Sequence, residues 1–129
     1  MAYMLLIIEP AGQRLTRTEQ QGREVYDRML RYTDSLKARG LLLASESLAS
    51  QDDAARVQVR GGRPQVLDGP FAEAKEMIGG FFLLACDTRE QAIALASECP
   101  AAEWCTLEVR ALGPCYATSR HTPRVSTQI

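Results

Sequence analysis

Val66–Gly80, VLDGPFAEAKEMIGG, is the stretch around which the rest of the chain is arranged, because it places the densest group of polar residues between two apolar segments. Its Asp68-Gly69-Pro70 step has the composition of a turn. Asp bonds backbone amides ahead of it, Gly tolerates unusual φ values, and Pro fixes its own φ. We therefore expect the Asp68 carboxylate to be held in place, and we take this stretch as the candidate site.

The length and charge of the chain restrict its class. Its 129 residues suit one compact domain, which we place at residues 1–113, and the aperiodic residues 114–129 are predicted to form a flexible tail. The 15 basic residues are scattered among 16 acidic ones, for a formal charge of -1. A nucleic-acid-binding surface needs clustered basic residues, so we expect no direct nucleic-acid partner.

The apolar runs and the cysteines predict a soluble, cytoplasmic protein without a membrane partner. The opening run Met1–Ile8 lacks a positively charged leader and stops at Glu9-Pro10, so we predict a strand and not a signal peptide. No other apolar run approaches the roughly 20 residues that span a bilayer. The four cysteines form no CxxC pair, and we expect them to be reduced and buried. They are Cys86, Cys99, Cys105 and Cys115.

No metal or nucleotide cofactor is expected. The only histidine, His121, lies in the predicted tail, and zinc sites rarely lack closely spaced Cys or His ligands. Gly61-Gly62 and Gly79-Gly80 are predicted turns without the spacing of phosphate-binding loops. The single histidine also leaves no credible Ser-His or Cys-His nucleophile pair.

The hydrophobic periodicity predicts strands alternating with two helices. Tyr3–Glu9 is apolar almost throughout, as in a strand covered on both faces. Thr16 and Glu19 have the spacing of a capping box at the start of an amphipathic helix. That helix ends at Gly40, and its apolar face consists of Val25, Met29, Tyr32 and Leu36.

The second half of the chain repeats this alternation. Pro64 cannot donate to a β-ladder, so the hairpin around Gly61-Gly62 is placed at a sheet edge or outside the main sheet. Thr88 and Gln91 have capping-box spacing at the start of the second helix. The predicted strands are Leu41–Leu48, Ala55–Arg60, Arg63–Leu67, Phe81–Cys86 and Cys105–Leu112.

This order predicts an α+β fold of the ferredoxin-like type, a split βαβ arrangement with an inserted β-hairpin and both helices on one sheet face. The strands Tyr3–Glu9 and Phe81–Cys86 are apolar on both sides, so the other face also needs a cover. We expect a two-fold homodimer whose sheets pack face to face and leave a cleft beside them.

Several motifs together resemble the DGPF-type branch of the YCII-related proteins, over about Tyr3 to Leu112. They are Leu43–Leu48, Gly61–Pro64, Asp68–Glu76 and Gly80–Phe82. The resemblance implies a dimeric α/β-barrel fold. Relatives in the wider group are suspected of enzymatic work through a His-Asp pair, which this chain lacks before His121. Genes of the DGPF branch often neighbour extracytoplasmic-function sigma factors, which implies a regulatory partnership with such a factor as an alternative role.

The leading interpretation is that the chain binds a small polar or anionic molecule in a cleft at Asp68–Phe71. An alternative is a cofactor-free isomerase or lyase, with Asp68 as general acid or base and Glu46 beside it. The side chains predicted to contact the ligand are Arg63, Phe71, Lys75 and Glu76.

Simpler roles exist for the same residues. Asp68 suits a turn cap, and Phe71 suits a plug between the sheet and a loop. Glu73, Lys75 and Glu76 also fit an exposed helical turn. Glu9 either faces the cleft or meets solvent, and Trp104 is predicted to be a packing or dimer-contact residue.

Overall fold

The computed structural model describes residues 2–116. The predicted tail from residue 117 onward, with His121, lies outside this range. Two helices and six strands give an α+β fold, as predicted. The helices are α1 (Glu19–Ala38) and α2 (Arg89–Glu98). The strands are β1 (Tyr3–Pro10), β2 (Leu42–Ser47), β3 (Ala55–Arg60), β4 (Arg63–Asp68), β5 (Glu76–Leu84) and β6 (Thr106–Ala111).

Four strands form one antiparallel sheet in the order β2-β5-β1-β6. In space, β5 therefore lies between β1 and β2, although β2 is the strand that follows β1 along the chain. The remaining strands, β3 and β4, pair only with each other. The hairpin therefore stands outside the main sheet, in agreement with the position of Pro64 in its second strand.

Both helices pack on the same face of the sheet through one apolar core. Leu5 of β1, Leu36 of α1 and Leu84 of β5 are fully buried there. The Tyr32 hydroxyl donates to the Leu95 carbonyl at 2.6 Å, which joins α1 to α2, and burial raises the pKa of that phenol. The Tyr32 ring also meets Phe82 edge-on, with centroids 5.2 Å apart. The helix layer is thus fixed to the two central strands.

The opposite side of the two central strands is the open sheet face, formed by Met4, Leu6, Ile8, Ile78, Phe81 and Leu83. Their register partners show that these residues share a side, since Leu6 pairs with Phe81 and Met4 with Leu83. All are half-buried except Ile78, which is 47% exposed. Both helices pack on the other side of the sheet, and the face-to-face dimer stays a prediction.

The start of α1 differs from the sequence prediction by two residues. The capping box forms between Thr18 and Gln21, and not between Thr16 and Glu19. Thr16 instead ends a short 3-10 turn, Gln13–Thr16, where its hydroxyl donates to the Gln13 carbonyl at 2.6 Å. Thr16 and Thr18 each have a residue three positions later that suits a capping box. The 3-10 turn engages the Thr16 hydroxyl, so Thr18 is the residue that caps α1. The box predicted at Thr88 and Gln91 is confirmed.

Strand β5 begins earlier than predicted, at Glu76, and Gly79-Gly80 lie inside it. Ile7 pairs with Gly80 while Ile8 pairs with Ile78, so Gly79 is the extra residue of a β-bulge. The helical turn considered for Glu73–Glu76 is wrong, because only a bend and a turn precede the strand. A glycine pair inside a strand indicates a bulge or a close backbone approach.

The expectation for the cysteines has a mixed outcome. Cys86 and Cys99 are buried, and burial raises the pKa of both thiols. Cys115 is exposed, so the prediction that all four cysteines are buried is wrong. Neither α1 nor α2, the helices found within residues 2–116, has the length and apolar character needed to cross a membrane.

Candidate functional site

The predicted site residues do not converge on one point. Asp68 ends β4 and Arg63 begins it, so they lie about 17 Å apart along the strand. Glu46 is exposed on β2, and Lys75 is exposed just before β5. Within the described chain, the Asp68 carboxylate accepts no hydrogen bond, so the predicted turn cap does not form. A catalytic role for Asp68 and Glu46 stays a prediction.

The turn after Asp68 packs closely against the loop that precedes the hairpin. The Gly69 amide donates to the Ala54 carbonyl at 2.7 Å, and the Gly69-Pro70 peptide is cis. A Cβ at Gly69 would fall on the Gln51 carbonyl oxygen. This position therefore needs glycine for a close backbone approach, and the motif attaches the base of the hairpin to that loop.

Phe71 is 8% exposed, as expected for a plug. The Arg56 guanidinium lies 3.9 Å from the centroid of its ring. Phe71 and Glu76 line a cavity of about 630 Å³, which we call the hairpin cavity. Of the predicted ligand contacts, only these two share a cavity. Its other walls include Ile8, Ser50, Ala54, Met77 and Ile78.

A second cavity, of about 560 Å³, lies between α1, the sheet and the 3-10 turn Pro100–Glu103, and we call it the helix cavity. Glu46 lines this cavity and Phe71 lines the other, while Asp68 lines neither. Its apolar walls include Val25, Tyr26, Met29, Phe82 and Trp104. Its polar walls include Glu9, Gln13, Arg14, Arg17, Ser45 and Ser47.

The most buried charge of the described chain belongs to this cavity. Glu9 is 5% exposed at the end of β1. Arg14 binds it with two hydrogen bonds, from Nε to Oε2 at 3.0 Å and from Nη2 to Oε1 at 2.7 Å. This fork-to-fork arrangement is the strongest geometry for an arginine and a carboxylate, and it compensates for the desolvation of Glu9.

Arg14 also connects the pair to two strands. Its Nη1 donates to the Leu48 carbonyl at 2.8 Å, just beyond β2, and its Nη2 lies 3.4 Å from the Gly79 carbonyl of β5. The bulge at Gly79 makes room for the carboxylate, because a Cβ there would fall on Glu9 Oε1 and lie 2.8 Å from Glu9 Cδ. The bulged strand and the ion pair therefore form one unit.

A second set of contacts surrounds Gln13. Its amide nitrogen donates to the Trp104 carbonyl at 2.7 Å, and its amide oxygen lies 3.5 Å from Cys105 Sγ and 3.4 Å from Arg17 Nη2. Burial, and next the nearby charge of Glu9, raise the pKa of Cys105 to about 11. Cys105 therefore stays a neutral thiol at physiological pH, which makes it a poor nucleophile.

Arg17 lines this cavity and has N–H donors that no described residue accepts. The only hydrogen bond of its side chain to a described residue is the long one to Gln13, and its guanidinium carbon lies 5.8 Å from the centroid of the Trp104 ring. A guanidinium has more N–H donors than this contact uses. The guanidinium carbon of Arg28 also lies near this ring, at 5.2 Å from its centroid. Trp104 also packs against the apolar core, so it has the first of its two predicted roles, packing or dimer contact.

The sequence analysis singled out Glu9 and Trp104 but missed Gln13, Arg14 and Arg17. A signal was present, since a carboxylate that ends a buried strand needs a cation, and Arg14 lies five residues later. Which arginine binds Glu9 depends on the 3-10 turn Gln13–Thr16, and no pattern of hydrophobicity reveals that turn.

The YCII-related domain family matches residues 1–114 of the chain. This match covers every strand and helix described above. No curated protein matches the chain.

Proposed function

We propose that this chain, which belongs to the YCII-related domain family, binds a small carboxylate with an apolar body in the helix cavity. The observation that carries the proposal is the position of Arg17 beside the Trp104 ring, in a cavity with both polar walls and an apolar wall that includes Val25, Met29 and Phe82. A cation next to an aromatic surface suits a ligand with one anionic group and a flat or aliphatic remainder.

The charges around the cavity favour an anion over a cation. Glu9 and Arg14 neutralise each other, which leaves the Arg17 charge uncompensated at the Gln13 contacts. Glu46 also lines the cavity, but it is exposed and pairs in register with Phe81, so its side chain belongs to the open sheet face. Glu19 lines the cavity too, but its carboxylate pairs with Arg23 at 2.6 Å and its side chain is 80% exposed. Solvent and Arg23 therefore screen Glu19 from a ligand in the interior.

The size of the cavity sets the size of the ligand. About 560 Å³ falls within the range of small-molecule sites. A molecule such as 3-phenylpropionate fits this space, with its ring against the apolar walls and its carboxylate at Arg17. The matching neutral amide, 3-phenylpropionamide, has nearly the same shape and lacks the charge.

This proposal assigns the Asp68–Phe71 motif a supporting role. The motif fixes the base of the hairpin through Gly69 and Phe71, and it does not line the helix cavity. The sequence-based alternatives, a cofactor-free isomerase or lyase and a partner of a sigma factor, stay predictions.

Calorimetric titration tests the proposal. We expect 3-phenylpropionate to bind the parent protein at least about tenfold more tightly than its amide, since a hydrogen-bonded charge contributes about 1.5–3 kcal/mol. Arg17→Met should remove this preference. Arg31→Met is the matched control, because Arg31 is exposed on α1, the helix that follows Arg17, and lines neither cavity. Equal binding of acid and amide, or loss of the preference in both variants, would contradict the proposal.

A further inference from the structure

The β3–β4 hairpin has two outer edges, because it belongs to no larger sheet. Its strands pair with each other and with no other strand of residues 2–116. Every residue of both strands is exposed. An edge strand carries a row of unpaired backbone N–H and C=O groups, which can template pairing with a strand from another chain. The hairpin therefore offers two candidate edges for such pairing.

A hydrogen bond at the base of the hairpin shows which backbone groups point outward. The Gly69 amide donates to the Ala54 carbonyl at 2.7 Å, so backbone bonding joins this pair of residues. Bonded and non-bonded pairs alternate along an antiparallel ladder, so every second pair from there to the turn is bonded. These bonded pairs are Arg56–Leu67, Gln58–Gln65 and Arg60–Arg63. The pairs between them therefore direct their backbone groups away from the hairpin.

The outward groups make β3 the open edge and β4 the blocked one. On β4 they belong to Pro64 and Val66, and a proline has no N–H to donate. On β3 they belong to Val57 and Val59, which keep both the N–H and the C=O. The Val59 carbonyl accepts from the side chain of its neighbour, with Arg60 Nη1 at 3.0 Å. A strand added beside β3 can therefore bond to both valines once this flexible side chain moves aside.

The two faces of the hairpin predict the residue pattern of an added strand. One face carries Val57, Val59 and Val66, whose exposed fractions are 64%, 58% and 62%. The opposite face carries arginines and no acidic residue, and none of these arginines forms an ion pair with another described residue. They are Arg56, Arg60 and Arg63. Because paired residues of neighbouring strands share a face, alternating apolar and acidic residues complement both faces.

We propose that β3 is a docking edge for an extended segment of another protein in which apolar and acidic residues alternate. The segment adds a third, antiparallel strand to the hairpin, with backbone hydrogen bonds to Val57 and Val59. Its apolar side chains extend the valine face, and its carboxylates pair with Arg56 and Arg60 on the other face. A third strand also stabilises the hairpin, since two strands alone are only marginally stable in water. This inference does not depend on the ligand of the helix cavity.

A synthetic peptide of this pattern tests the charges of the edge. The probe is fluorescein-Gly-Val-Glu-Val-Glu-Val-Gly-amide, and fluorescence anisotropy measures its binding. We expect saturable binding to the parent protein. Replacing both glutamates of the probe by lysine should weaken binding at least about tenfold, because like charges then lie opposite the arginines.

Two N-methylated probes test the backbone bonding on the unaltered protein. In an antiparallel arrangement the valine amides of the probe face β3, because Val57 and Val59 then form bonded pairs with them. Methylation of those amides should weaken binding at least about tenfold, since it removes hydrogen bonds and adds bulk at the contact. Methylation of the glutamate amides, which point away from β3, is the matched control and should leave the affinity as it is.

Proline substitutions at one register pair separate the two edges. Val57→Pro removes an outward N–H from β3, and Val66→Pro removes one from β4, which Pro64 already blocks. Neither substitution removes a bond inside the hairpin. We expect Val57→Pro to weaken binding of the unmethylated probe at least about tenfold, and Val66→Pro to bind it as the parent does. The methylated probes decide the matter if a variant does not fold.

Several results would overturn the proposal. One is a parent protein that does not bind the probe, or that binds the glutamate and lysine probes equally. Another is equal affinity for the two methylated probes, which would show that charge alone holds the peptide. Self-association of the parent that disappears in Val57→Pro would also overturn it, because β3 would then pair with a second copy of the chain.

Discussion

Gly79→Ala should lower the free energy of unfolding by about 3 kcal/mol, since it combines overpacking with disruption of a buried ion pair. The backbone does not cause this loss, because the φ of Gly79 lies outside the left-handed region. The cause is the Glu9 carboxylate, which occupies the space that a Cβ would take. Chemical denaturation monitored by circular dichroism measures the effect.

Gly22→Ala is the control for that substitution. Gly22 lies within α1, and nothing approaches within 4 Å of its missing Cβ. Alanine there should raise the free energy of unfolding by about 0.5–1 kcal/mol, as expected in a helix interior. Adding Glu9→Ala to Gly79→Ala should recover part of the loss, since the two side chains no longer compete for one space. A Gly79→Ala protein as stable as the parent would mean that the carboxylate lies elsewhere.

Arg14→Met should cost about 2 kcal/mol at pH 7. Breaking a buried ion pair typically costs about 3–5 kcal/mol, but the Arg14 side chain is 34% exposed, and solvent screening reduces the expected loss. The loss comes chiefly from Glu9, whose side chain is 7% exposed and would keep an unpaired charge. Thermal and denaturant unfolding measure the loss.

Two variants distinguish the ion pair from a general effect of removing an arginine. Adding Glu9→Gln to Arg14→Met removes both charges and should restore more than half of the stability, because no buried charge is then unpaired. Arg23→Met breaks the exposed pair with Glu19 and should cost less than about 0.5 kcal/mol. An equal cost in Arg14→Met and Arg23→Met would show that the buried pair contributes no more than a surface pair.

The fold was predictable because its elements carry local signals. The alternation of apolar and polar residues predicted β3 and β6. Helical spacing predicted that Tyr32 and Leu36 face the core, and both are buried. The errors arose where tertiary contacts select between similar local options. The Gly79-Gly80 pair looks like a turn by composition, yet in the sheet it forms a bulge beside Glu9.

The helix cavity was harder to predict than the fold, because its residues come together only through tertiary contacts. Glu9, Arg17 and Trp104 belong to a strand, the segment before a helix and the segment after a 3-10 turn. The sequence instead directed attention to Asp68, whose turn chemistry is conspicuous. The structure uses that turn to attach the hairpin through the close contacts of Gly69.

The emission of Trp104 tests the central claim most directly, because it is the only tryptophan of the chain and lines the helix cavity. Titration with 3-phenylpropionate should change its emission saturably in the parent protein and in Arg31→Met. The change should be weak with 3-phenylpropionamide and in Arg17→Met. If the emission does not change with 3-phenylpropionate, or changes equally with 3-phenylpropionate and its amide, that result would contradict carboxylate binding in this cavity.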